Sequence, residues 1–350
     1  MTPRLKSFLF PSWEQRKRLL VSEARVLLIA SYAALLFAYL FPQNNRNASP
    51  AYTLFAWAAI LTRTLQFHLG LLVLVVAAAL AYARRRYLFL STLPLLLFTL
   101  APAALSYRPK QRPAVPAGSP TLKVMTANLL MVNHDTAGII NEIQQFSPDV
   151  LLLQEYTDHW HRALQQSIGP AYPHITYVPQ DDSFGTAIYS KLPFTTPPDK
   201  RLHMGREPLP QMRTTIQFAG REVALYNIHL LPPRRLDYTI EHRQQLADLC
   251  DLLRGEQLPI ILAGDFNFTE TTPQAREVAR LGLRDAHDLA GFGRSTTWPV
   301  NSFFRYLPAL RFDHLYLSPG LTATTCETGI GQGSDHRPVL ATVSFLTPNP

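Results

Sequence analysis

Three stretches without a single Asp, Glu, Lys or Arg, Val26–Phe41, Thr64–Ala83 and Tyr87–Tyr107, constrain this chain more than any other feature. A bilayer core is crossed by roughly 20 apolar residues, fewer when basic flanks snorkel, and each stretch meets that length. A buried helix of a water-soluble domain ordinarily keeps a polar stripe, and these keep none. The expectation is an N-terminal membrane anchor over 1–107 with three transmembrane helices, at about 26–42, 64–83 and 87–106. A cleaved signal peptide would account for the first stretch only. The shorter apolar run Ala51–Ile60 cannot span and is assigned to the interface or to an extension of the second helix.

Charge is segregated to match. The chain has 33 Lys and Arg against 25 Asp and Glu, a net +8, and residues before 108 carry +9 of it, with Glu14 and Glu23 their only acids, while the remainder carries −1. The basic balance therefore says nothing about nucleic acid binding by the remainder. Arg4, Lys6, Arg16, Lys17, Arg18 and Arg25 precede the first span, and Arg84, Arg85 and Arg86 fill the turn between the second and third. The loop between the first two has only Arg46 and Arg63. Positive clusters stay in the cytoplasm, so the third span exits on the far face. A multi-pass protein of a bacterial inner membrane is expected, with everything after Tyr107 periplasmic. Residues 108–120, RPKQRPAVPAGSP, form a Pro-rich linker with a reach on the order of 40 Å.

From 121 the pattern changes to short apolar runs that end in polar residues. Leu122–Leu130, Asp149–Glu155, Gly185–Ser190, Arg213–Phe218, Glu222–Leu231, Pro259–Asn267, Phe312–Ser318 and Pro338–Phe345 read as strands. Thr136–Phe146 and Tyr238–Gly255 have helical spacing, the latter closed by Gly255. Many strands with few helices make a mixed α/β domain over 121–346. Two cysteines, Cys250 and Cys326, give neither a disulfide framework nor a metal motif.

Asn128, Glu155, Asn227, His229, Asp265, Asn267, Asp313, Asp335 and His336 sit at or near strand ends. Taken singly, an Asp after a strand is usually a cap or turn residue and a lone His usually structural. As a set on one rim they mean something else. Two carboxylates 5 Å apart repel by roughly 3 kcal/mol at an effective dielectric near 20, so Glu155, Asp265, Asp313 and Asp335 together require a cation. Oxygen ligands with amide help suit a hard dication, Mg²⁺ or Mn²⁺. The histidines are left for proton transfer or contact with a phosphoryl oxygen, which is the equipment of phosphate ester hydrolysis.

The motifs TANLL with Asn128, LLLQE with Glu155, GTAIYSKLPF, YNIHL with His229, GDFN with Asp265 and Asn267, RFDHLYLS with Asp313, and GSDHRPV with Asp335 and His336 resemble, in order, the endonuclease/exonuclease/phosphatase superfamily. The resemblance implies a four-layer α/β/β/α sandwich of the DNase I type with one site at the strand ends. It implies that Glu155 is the principal metal ligand, with Asn128 and Asp335 helping to hold the ion or its waters. Asp265, oriented by Asn267, becomes the base or positioner of the attacking water. Asp313 fixes the His336 tautomer, and His336 with His229 contacts the scissile phosphate. Leu130 stands where abasic-site nucleases of the superfamily carry a second acid, which speaks against that activity.

Trp298, in RSTTWP, could stack on a base or sugar, or be a packed loop residue. The expected substrate is a phosphodiester, and the leading expectation is a nuclease outside the cytoplasm. A phospholipase C-like or inositol-phosphate phosphatase acting on lipid head groups is the alternative, and a non-catalytic membrane scaffold a distant one. The lipid bilayer is the expected partner of the anchor, and no protein partner is inferable.

Overall fold

Alternation along the strands produces two sheets in the computed structural model, which describes residues 12–111, 115–300 and 306–346. The first has six strands in the order β10-β11-β1-β2-β4-β3 and the second five in the order β5-β6-β7-β9-β8. In chain order these are β1 (Leu122–Asn128), β2 (Val150–Gln154), β3 (His174–Val178), β4 (Thr186–Ser190), β5 (Met212–Phe218), β6 (Arg221–His229), β7 (Ile260–Asp265), β8 (Arg284–Asp285), β9 (Asp313–Leu317), β10 (Leu321–Thr328) and β11 (Val339–Phe345). Leu122 and Val124 of β1 face Val223 and Leu225 of β6 in a core between the sheets. The intervening positions Met125 and Ala127 face outward onto the helices Ala137–Phe146 and Asp158–Ser167. On the other sheet Ala224, Tyr226 and Ile228 pack against Leu246, Leu249 and Leu253 of the helix Leu236–Gly255. Period-two side chains thus bury both faces of each sheet, giving the four layers of a DNase I-like sandwich.

Most expected strands are present within a residue or two. The strands β3, β8 and β10 and the helices Asp158–Ser167, Pro273–Arg280 and Ala286–Ala290 have no counterpart among the ranges read from sequence. β3 is five residues between Pro173 and Pro179, too short for a period to declare itself, and it is held by pairing with β4.

The chain divides into two compact units, one made of residues up to Pro42 with Ala58–Leu105, the other of Gln43–Trp57 with the chain from Ser106 onward. In the first, the helices Trp13–Leu40 and Arg86–Ser106, the latter interrupted near Ser91, are long and apolar enough to cross a membrane. Pro50–Thr64 and Gln66–Tyr82 meet at a 64° bend and make a third candidate if counted as one span. Ser12 closes the start of the first helix with a reciprocal capping box to Gln15. Of the linker expected at 108–120, residues 112–114 lie outside the described residues.

Candidate active site

Register brings the site together. β1 and β2 are parallel with Asn128 opposite Gln154, so Asn128 and Glu155 leave the first sheet side by side. β6 and β7 are parallel with His229 opposite Asp265, and β7 and β9 antiparallel with Asp265 opposite Asp313. The turn before β11, which runs antiparallel to β1, returns Asp335 and His336 to the same edge. Eight of the nine residues singled out above therefore share one rim, Asn227 being the exception.

Backbone geometry at this rim is unusual. Glu155, Asn267 and Leu130 have φ of 53°, 51° and 58°. Left-handed backbone costs a non-glycine residue roughly 1–3 kcal/mol, less for Asn, and persists only where the surroundings enforce it. Gly264 precedes Asp265 with φ of 145°, and a Cβ there would lie 1.8 Å from the Ile228 carbonyl oxygen. Only glycine lets β7 close this tightly on β6 while delivering Asp265.

Asn128 is the junction between the sheets. Its Nδ2 donates to Glu155 Oε1 at 3.0 Å and to Asp265 Oδ2 at 3.2 Å, while its Oδ1 accepts the Leu130 N–H. Glu155 Oε2 accepts the Met131 N–H at 2.9 Å. Asp265 Oδ1 accepts the Asn267 N–H at 3.0 Å, and the Asn267 amide is itself anchored on the Leu230 carbonyl. Across the rim His336 Nδ1 meets Asp313 Oδ2 at 2.8 Å, and its Nε2 lies 3.7 Å from Asp265 Oδ2. His229 Nε2 is 3.6 Å from the same Asp265 oxygen. Two imidazoles thus converge on one carboxylate oxygen.

Burial and charge set the protonation states. Burial pushes Asp265 up to about 6, against the pull of His336. Burial alone would lower His336, yet Asp313 and Asp265 outweigh it and raise it to about 10. His229 is lowered by burial, despite Asp265, and is neutral. Burial also raises Glu155, partly offset by the Met131 and Asn128 hydrogen bonds. His336 acts on Glu155 as a favourable charge and Asp335 as an unfavourable one, so the three share one electrostatic environment.

Among the described residues, Asp265, Asp313 and His336 place ligand-type atoms within 4.8 Å of one another, a group that could hold a metal ion. In this structure, however, the cationic His336 already balances those carboxylates. Glu155 and Asp335 are the remaining acids of the rim, and among the described residues the buried Asp335 Oδ1 has no hydrogen-bond partner. An oxygen-only pair of this kind fits a hard dication.

Several supporting residues were not singled out from sequence. Gln211 clamps the His229 backbone, its amide donating to the carbonyl at 2.7 Å and its oxygen accepting the N–H at 2.8 Å. Ser334 Oγ donates to the Asn128 carbonyl and accepts the His336 N–H. Thr297 Oγ1 accepts the N–H groups of Phe312 and Asp313. Trp298, considered above as a stacking surface for substrate, stacks on Phe312 and donates its indole N–H to Asp335 Oδ2 at 3.0 Å. Asn227 does not reach the rim. Its amide joins Leu153, Thr186 and Ala187 of the opposite sheet and accepts from Gln154 at 2.6 Å, which makes it a saturated pin between the sheets.

The model of the Endonuclease/Exonuclease/phosphatase family matches residues 125–336, more than half of the chain and inclusive of all eight rim residues. The chain belongs to this family. The UPF0294 protein of Vibrio cholerae is 30% identical over 131 residues, covering 36% of this chain and 42% of the relative. The chain therefore spans less than half the length of the curated relatives it matches. Humanized D. rerio TDP2 superposes with a TM-score of 0.53 at 19% identity, over 64% of this chain and 99% of that one. The 3' phosphatase NExo from Neisseria, bound to product DNA hairpin, gives 0.51 at 22%, over 63% and 98%. A family protein from Leptotrichia buccalis gives 0.53 at 15%, over 64% and 100%. These likenesses establish the fold.

Proposed function

We propose that this protein is a membrane-anchored, divalent-metal-dependent phosphodiesterase whose catalytic domain, 121–346, works outside the cytoplasm. The observation that carries the reading is the Asn128 amide bridging Glu155 and Asp265, with His336 and His229 converging on the same Asp265 oxygen that Asn128 meets.

With Mg²⁺ or Mn²⁺ held by Glu155 and Asp335 beside Asn128, the ion would polarise the scissile phosphoryl group and offset charge on the leaving oxygen. The remaining work falls to the chain. Asp265, its Oδ1 fixed by the Asn267 N–H, takes the proton of the attacking water. His336, kept cationic by Asp313, and neutral His229 donate to the phosphoryl oxygens, where negative charge grows as the water attacks. Asn128 keeps Glu155 and Asp265 apart and correctly turned.

Three candidate spans, with basic clusters before the first and between the second and third, support a periplasmic site. TDP2 from D. rerio has been solved with a single-strand DNA product and NExo with a product DNA hairpin, which supports a phosphodiester as the substrate. The test is cleavage of bis-p-nitrophenyl phosphate by the full chain with Mg²⁺ or Mn²⁺. Glu155→Gln and His336→Ala should each lower kcat by roughly 10²–10⁴ with the thermal melt unchanged. Full activity in both variants, or activity indifferent to chelator, overturns the reading.

A further inference from the structure

Two loops of the site rim are bonded to residues that border the apolar unit along the chain. The loop after β6 begins directly beyond His229, and its Pro233 carbonyl accepts the Trp57 indole N–H at 2.9 Å. Trp57 is the last residue of the Gln43–Trp57 segment included in the catalytic unit, and the apolar unit resumes at Ala58. That segment is fastened to the helix Leu236–Gly255, through Arg46 to Asp248 at 2.9 Å and through Arg243 to the Asn47 carbonyl at 2.9 Å. The second loop, Gly291–Trp298, leads to the indole that holds Asp335. Its Gly293 N–H donates to the carbonyl of Ser106, the last residue of an apolar helix. Phe292, 63% exposed, packs edge-on against Tyr107 at 5.6 Å.

Chain connectivity alone therefore ties one rim loop to Trp57, within the apolar run Ala51–Ile60 of the helix Pro50–Thr64, and the other to Ser106, the end of an apolar helix. Interfacial Trp and Tyr lie at head-group level, a zone about 5–8 Å deep in each leaflet. Arg234 is exposed beside Pro233, where it would attract anionic head groups, while the exposed Arg235 pairs with Asp237 at 2.8 Å. The rest of the catalytic domain has near-balanced charge and no general field for a long polyanion.

Resting on the phosphodiesterase reading above, we propose that the ester this site hydrolyses is carried by a lipid head group of the adjoining leaflet. The water oxygen bonds to phosphorus and the ester P–O bond breaks. The water's proton ends on the leaving oxygen, so no co-reactant is needed.

The test uses the full chain reconstituted in phosphatidylglycerol and phosphatidylcholine vesicles with Mg²⁺, product release being followed by ³¹P NMR. Bis-p-nitrophenyl phosphate and single-stranded DNA run in parallel. Release of phosphorylated product from vesicles is expected. Phe292→Ser, at an exposed position, and Trp57→Phe, which keeps the ring but loses the N–H, should each slow vesicle turnover roughly tenfold while soluble diester cleavage is unchanged. DNA cleavage without lipid turnover, or an equal fall on both substrates in both variants, overturns the lipid assignment and leaves the phosphodiesterase reading standing. Failure on every substrate, the soluble diester included, brings down that underlying reading.

Discussion

Under the proposed mechanism Asp265 is the base of this site, and its neighbours predict how activity responds to acid. Its carboxyl is raised to about 6 by burial, while His336 is held cationic up to about 10. A base must be ionised to accept the water's proton, so cleavage should rise as pH climbs through about 6, with a plateau until His336 loses its proton. Asp265→Asn should lower kcat by roughly 10²–10⁴ and erase the acidic limb, as read from a pH–rate profile of soluble diester hydrolysis. A profile flat between pH 5 and 8 in the unmutated protein would contradict this role. Single-residue chemistry was only partly legible in the sequence. GDFN and SDHRP announced Asp265 and His336, because their spacing puts a carboxylate or imidazole at a strand end. Asn227 carried the same signals, two positions from His229, and proved to be a pin between sheets, since its surroundings on the opposite sheet are invisible in a local pattern.

At the scale of elements, the helix Leu236–Gly255 holds the loop after β6 from below. His242 is fully buried and its Nδ1 donates to the Leu231 carbonyl at 2.8 Å. Burial lowers it to about 4, which is below its ordinary value near 6.5. The folded protein therefore prefers the neutral ring. Stability is complete above about 6.5 and declines as pH falls towards 4, by roughly 3 kcal/mol over the whole interval. Urea denaturation at pH 7.5 and pH 5 should show the loss, and His242→Gln should flatten the dependence; an equal dependence in the variant would exclude His242 as its source. The helix itself was readable from amphipathic spacing. That its buried face carries His242 and Arg243 beneath a loop of the active site was not, because a polar residue on a helix looks solvent-exposed until something covers it.

For the molecule as a whole, the decisive prediction concerns topology. Reporter fusions after residue 110 should be active only outside the cytoplasm, and fusions within Arg84–Arg86 only inside it. A cytoplasmic signal at 110 would require an even number of crossings and would argue against the bent pair Pro50–Thr64 and Gln66–Tyr82 acting as one span. Hydropathy and charge are additive along a chain, so the apolar helices, the basic clusters and the family motifs could be read without a structure. Alternation likewise exposed most strands, because facing the core is a local property with a period of two. Tertiary structure alone decided how those strands close a site. Ser334 reaches the Asn128 carbonyl across 206 residues, Gln211 clamps His229, and Trp298 turns from a candidate substrate platform into the partner of Asp335. Such contacts depend on inter-sheet register and on loops meeting in space, and neither leaves a periodic trace in the order of residues.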